Sequence, residues 1–159
     1  MDTLTRSSRQ GRNESREERA DRNLVELLQE LRVLQTGVQI IFAFLLGVAF
    51  TARFPQLTDT QQDVYLAALL LSVLSAAVFA APVAVHRGLF RRGRKELIVT
   101  VSTKLALAGM LLLAMALDCV VFVLVDVVLG RVAAVVVTCA GAALFGLLWF
   151  VFPWALRRS

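Results

Sequence analysis

The sequence predicts an all-α protein, a transmembrane up-down four-helix bundle with an N-terminal amphipathic extension and both termini cytoplasmic. Three observations predict it. Hydrophobic residues make up 58% of the 159-residue chain, above the share of about half that soluble domains carry. They are gathered into four long runs, each with the roughly 20 residues needed to cross ~30 Å of hydrocarbon. The basic residues are concentrated on alternate connections between those runs, as the positive-inside rule requires of a multi-pass chain.

Residues 1–22 form a polar tail, in which Arg6, Arg9, Arg12, Arg16, Arg19 and Arg22 are offset by Asp2, Glu14, Glu17, Glu18 and Asp21. With almost nothing apolar to bury, it is expected to be disordered; its arginines suit anionic lipid headgroups. The membrane domain, residues 23–158, opens with an interfacial helix over 23–32. Ser15 with Glu18, and Asn23 with Glu26, have capping-box spacing, and Leu24, Leu27, Leu31 and Leu34 recur at helical intervals.

Span one follows at about 33–52, with no Pro to break it from the interfacial helix. Span two runs over about 64–85, span three over about 98–126 and span four over about 132–152. The connections are short, so consecutive spans are expected to be antiparallel neighbours. Small residues supply packing ladders that let helix backbones approach closely. Ala68, Ser72, Ala76, Ala80 and Ala84 form one on span two; Ala134, Thr138, Ala142 and Gly146 form the other on span four. A ladder of this kind also serves dimerisation.

Orientation follows from the basic residues. Seven arginines lie in the tail and interfacial helix, five basic residues in the 86–97 connection, and Arg157 and Arg158 at the C-terminus; the other two connections hold only Arg53 and Arg131. Both termini and the middle connection are therefore expected inside. Trp149 and Trp154 would mark the inner end of span four, and Tyr65 the outer end of span two. The Arg-rich, Ala/Val/Leu-rich usage suggests a GC-rich bacterial genome, hence the bacterial cytoplasmic membrane. In such a chain the positive charge reports topology, and no nucleic-acid partner is expected. Lipid with anionic headgroups is the expected surrounding, with a homodimer or a larger membrane protein as a further partner.

Chemistry-bearing residues are few. Gln35 and Gln39 share a face of span one with Arg32, and Gln39 stands about 9 Å inside the inner boundary. There a carboxamide needs a partner. The pair either clips span one to its neighbours or lines an ion path. Asp118 interrupts an apolar run about 12 Å from the outer end, level with Cys139 and Ala140 and one residue from Thr138 and Gly141. An intramembrane carboxylate costs about 2.5–3.5 kcal/mol on insertion scales and is a functional candidate by default. Three readings are open for Asp118: a proton- or cation-linked group, a neutral hydrogen bond to Thr138, or a simple outer cap if span three ends near 117. Ser72 and Thr138 are the expected packing partners.

Asp126 is expected to pair with Arg131 or solvent. Cys119 and Cys139 fall at matching depth and are expected as packed thiols. His86 ends span two and suits either a cytoplasmic pH sensor or a plain interfacial position. No P-loop, G-x-G-x-x-G, C-x-x-C, H-E-x-x-H or G-x-S-x-G is present. No enzyme activity, metal or cofactor is expected.

The stretches LLQELRVLQTGVQIIFAFLLG (27–47), APVAVHRGLFRRGRKELIV (81–99) and VLVDVVLG (123–130) resemble an uncharacterised family of small four-span membrane proteins found mostly in actinobacteria. The resemblance covers roughly residues 24–131. Some members carry a sodium:proton antiporter label, and the resemblance implies such transport as one expectation. The large antiporters use many more spans and discontinuous helices, whereas this chain has four spans and one buried acid. The leading expectation is a non-enzymatic scaffold or accessory subunit. The alternative is proton- or cation-coupled transport through Asp118, Gln39, Gln35, Arg32 and His86.

Overall fold

The structure, a computed structural model, describes residues 16–89 and 95–151; within them, the side chains at 16–21, 24, 85–89, 95–98 and 150 are not described. Four helices carry the described fold: α1 (Arg16–Ala49), α2 (Asp59–Leu89), α3 (Lys95–Leu129) and α4 (Arg131–Gly146). All four, α4 together with the π-helical turn that carries it to Trp149, are long and apolar enough to cross a membrane. The chain is a multi-pass membrane protein.

α1 is one unbroken helix. It begins inside the segment expected to be a disordered tail and passes through the interfacial stretch into the span without a joint. It stops at Ala49, a turn before the expected limit, where the Thr51 hydroxyl donates to the Val48 carbonyl at 2.7 Å. A single 3-10 turn, Phe54–Gln56, with Pro55 near its start, leads to α2. Thr58 and Gln61 then cap α2 reciprocally. The Gln61 side chain accepts from the Thr58 N–H at 3.0 Å, and the Thr58 hydroxyl accepts from the Gln61 N–H at 3.4 Å. This is a capping box with glutamine at its third position.

α3 and α4 are joined by Gly130 alone. Its φ of 88° lies in the left-handed region that costs glycine nothing. Its N–H donates to the Asp126 carbonyl and its own carbonyl accepts from the Ala134 N–H, both at 3.1 Å. One residue thus ends α3 and starts α4.

The core runs between α1, α2 and α3. α2 buries Gln61, Tyr65, Ala68, Ser72, Ser75, Phe79 and Pro82, at intervals alternating between four and three. On α3, Ser102, Gly109, Leu113, Ala116 and Asp126 are buried, with Ala106 and Val123 half-buried between them, in the same rhythm. On α1 the buried positions are Leu31, Val38 and Leu45, two heptads. A mean step of 3.5 keeps the seam facing its partner when antiparallel helices supercoil left-handedly.

That rhythm corrects the expected ladder on α2. A strict four-residue row turns about 40° around the helix with each step and leaves the seam. Ala68 and Ser72 are in it, Ala76 is half-buried, and Ala80 and Ala84 are exposed.

α2 and α3 approach closely at Gly109. A Cβ on Gly109 would come within 2.6 Å of the Phe79 ring, which is 1% exposed and packs with Leu31, Val38 and Leu113. Beside it the Ser75 hydroxyl donates to the Gly109 carbonyl at 2.9 Å.

α4 makes its helix contacts almost wholly with α3. It buries Ala134 and leaves Val132, Val136 and Leu144 open. Its expected ladder divides as on α2: Ala134 and Thr138 face α3, whereas Ala142 is exposed. At its end a π-helical turn, Leu147–Val151, brings Trp149 against Phe145 with ring centroids 5.1 Å apart.

Candidate functional site

Two polar positions matter in this apolar frame. The first lies at the end of the bundle that carries the 50–58 and Gly130 connections, the loop end. Asp126 is 8% exposed, and a carboxylate so placed must be paired to be tolerated. Gln61 Nε2 donates to its Oδ2 at 2.9 Å, and Arg131 Nε donates to its Oδ1 at 3.0 Å. The Arg131 guanidinium also lies 5.5 Å from the centre of the Phe122 ring, within cation–π range. One carboxylate therefore ties α2, α3 and α4 together.

α1 is tied in at the same end. The Tyr65 hydroxyl donates to the Leu45 carbonyl, and the Tyr65 ring meets Phe54 edge-on at 4.9 Å. The expected Asp126–Arg131 pair is present, but the sequence reading missed Gln61. Its signal was available: T-D-T-Q at 58–61 has the spacing that holds the Gln61 side chain at the helix start.

The second position is Asp118. α3 continues without a break to Leu129, so Asp118 is not a helix cap. Its carboxylate meets α4 at Gly141, where a Cβ would stand 2.7 Å from Oδ1. The glycine leaves the space that the carboxylate enters. This is one residue from the level that counting along the hairpin gave. The Thr138 hydroxyl, one turn away on α4, is buried and has no hydrogen-bond partner among the described residues. The hydrogen bond between Asp118 and Thr138, one of the three readings of that residue, is not made.

The remaining candidates are not gathered around Asp118. Arg32 and Gln39 are exposed and Gln35 is half-buried, because the inner face of α1 follows Leu31, Val38 and Leu45. The Thr36 hydroxyl in that stretch bonds locally, donating to the Arg32 carbonyl at 3.0 Å. Ser72 is fully buried but donates to the Ala68 carbonyl of its own helix at 2.8 Å. The side chain of His86 lies outside the described residues. Both cysteines are free, Cys139 exposed and Cys119 half-buried against the cluster of Leu45, Tyr65 and Ala68. The expectation of two packed thiols therefore fits Cys119 and not Cys139, which is exposed.

The model of a family of unknown function, DUF6328, matches residues 13–153. No curated protein and no solved structure matches the chain. The family match takes in all four helices and both polar positions, and the chain belongs to the DUF6328 family.

Proposed function

We propose that the protein is a non-enzymatic scaffold or accessory subunit of the bacterial cytoplasmic membrane. Its termini and the α2–α3 connection face the cytoplasm, and its loop end faces outward. The observation that supports this reading is the dispersal of its polar groups. Arg32 and Gln39 turn away from the core while Asp118 turns toward α4. The interior instead holds continuous helix seams closed at one end by the Asp126 clasp. The one-sided attachment of α4 leaves apolar helix surface for a second copy or a larger membrane protein. The orientation rests on the basic residues of the tail, middle connection and C-terminus.

One observation favours a second reading, proton- or cation-linked transport. At the α3–α4 contact the Asp118 carboxylate and the partnerless Thr138 hydroxyl are both placed inside apolar helices. Reconstitution in liposomes tests the two. Wild-type protein is expected to give no proton or Na⁺ flux above protein-free vesicles across a range of pH and potential. Flux in the wild type would overturn the scaffold reading, and its loss in Asp118→Asn would assign it to that carboxylate.

A further inference from the structure

We propose that the loop end holds one phospholipid molecule, with an acyl chain between α1, α2 and α3 and its phosphodiester on Arg53. The space is a cavity of about 240 Å³ whose walls include Leu45, Phe54, Tyr65, Ala68, Val120 and Val123. The space is half-open toward the outside of the bundle, between α1 and α3, where lipid reaches it. It is far larger than a packing defect, and apart from Arg53 its lining residues are apolar or, like Tyr65, turn a ring to it. It takes an apolar occupant.

A second cleft, of about 280 Å³ and polar, adjoins the first. Arg53, Leu57 and Val127 line both. Gln56, Thr58 and Gln61 complete the polar one, with Asp126 already committed to Gln61 and Arg131. An apolar chamber that opens into a polar one is the outline of an amphiphile. Arg53 stands at the junction, exposed, its guanidinium without a protein partner among the described residues. A guanidinium pairs with phosphate through two parallel N–H donors. The chambers lie at the end of spanning helices, where the surrounding lipid presents this combination of chain and phosphate.

The structure also says what holds the chamber open. Tyr65 is fixed by its bond to the Leu45 carbonyl, and Phe54 stands edge-on against it, so neither ring is free to fall inward.

The test is native mass spectrometry of the full chain in a mild detergent, titrated with phosphatidylglycerol or with diacylglycerol of the same chains. Phosphatidylglycerol is expected to bind about tenfold more tightly, the scale of one charge-assisted contact. Arg53→Gln, at an exposed position, is expected to remove that advantage and leave diacylglycerol binding unchanged. Val123→Phe narrows the chamber and is expected to weaken both ligands, with thermal unfolding showing that the variant is folded. Equal binding of phosphatidylglycerol to wild type and Arg53→Gln would overturn the proposal. So would retention of both ligands by folded Val123→Phe.

Discussion

The packing of Phe79 on Gly109 makes the strongest quantitative prediction. In Gly109→Ala the new Cβ would lie 2.6 Å from Phe79 Cε1, 2.7 Å from Cδ1 and 3.1 Å from Cζ, where carbon atoms settle at about 3.5–4.0 Å. The ring must retreat by roughly 1 Å. It is enclosed by Leu31, Val38 and Leu113, so it moves only if α2 and α3 separate, and that stretches the Ser75–Gly109 hydrogen bond. Overpacking of this kind costs about 1–3 kcal/mol. Against it stands the helix preference of Ala over Gly, about 0.8–1.0 kcal/mol, so the net loss expected is about 1 kcal/mol. A double-mutant cycle removes the ambiguity. Phe79→Leu takes away the ring, and the propensity gain is common to both backgrounds and cancels. The cycle should therefore return the clash alone, a coupling of about 1–3 kcal/mol. Unfolding of the detergent-solubilised protein by added SDS, followed by far-UV circular dichroism, measures all four corners. If Gly109→Ala is no better tolerated with Phe79→Leu than without it, the reasoning about this contact fails.

Two further outcomes are expected. Asp126→Ala leaves Gln61 Nε2 and Arg131 without their acceptor and should destabilise by about 1–3 kcal/mol, read in the same SDS titration; an unchanged midpoint would show that the clasp contributes nothing. In a Cys119→Ser, Cys139→Ser background, Gln56→Cys should react with an impermeant maleimide on intact cells. Ser7→Cys should react only after permeabilisation, and the reverse pattern would invert the proposed orientation.

The helices themselves were legible because length and apolarity alone decide them. Rotation about each axis was harder to read. On α2 the small residues Ala76, Ala80 and Ala84 advertise a seam, yet Ser75, Phe79 and Pro82 form it. Between lipid-bathed helices an Ala facing lipid and an Ala facing protein differ little in free energy, so composition carries a weak signal for the rotation. The same weakness applied to α1. Gln35 and Gln39 were placed inward on the premise that amides avoid hydrocarbon, but Leu31, Val38 and Leu45 take the inner face. The α2–α3 contact at Gly109 carried no sequence signal at all, since nothing local tells a glycine that receives a ring from one that receives nothing.

Depth, by contrast, transfers well from sequence, and Asp118 shows how far. Equal counts on the two sides of the turn at 129–130 bring Asp118 level with residue 141, a residue or two beyond the expected 139–140, and its carboxylate meets Gly141. Counting cannot say which side of α3 the carboxylate leaves from. That is decided by the partner with room for it. Gly141 is the residue of α4 whose missing side chain lets the carboxylate in, and Thr138, a turn away, contributes a hydroxyl that the carboxylate does not reach for. A purely structural polar pair would be expected to close that gap, because a buried hydroxyl left without a partner carries a desolvation cost. The clasp at Asp126 does close, with both carboxylate oxygens occupied. The contrast between an acid with both oxygens bonded and a half-buried acid that leaves the neighbouring Thr138 hydroxyl unbonded is why flux is measured with Asp118→Asn, and why the same substitution at Asp126 would report only on stability.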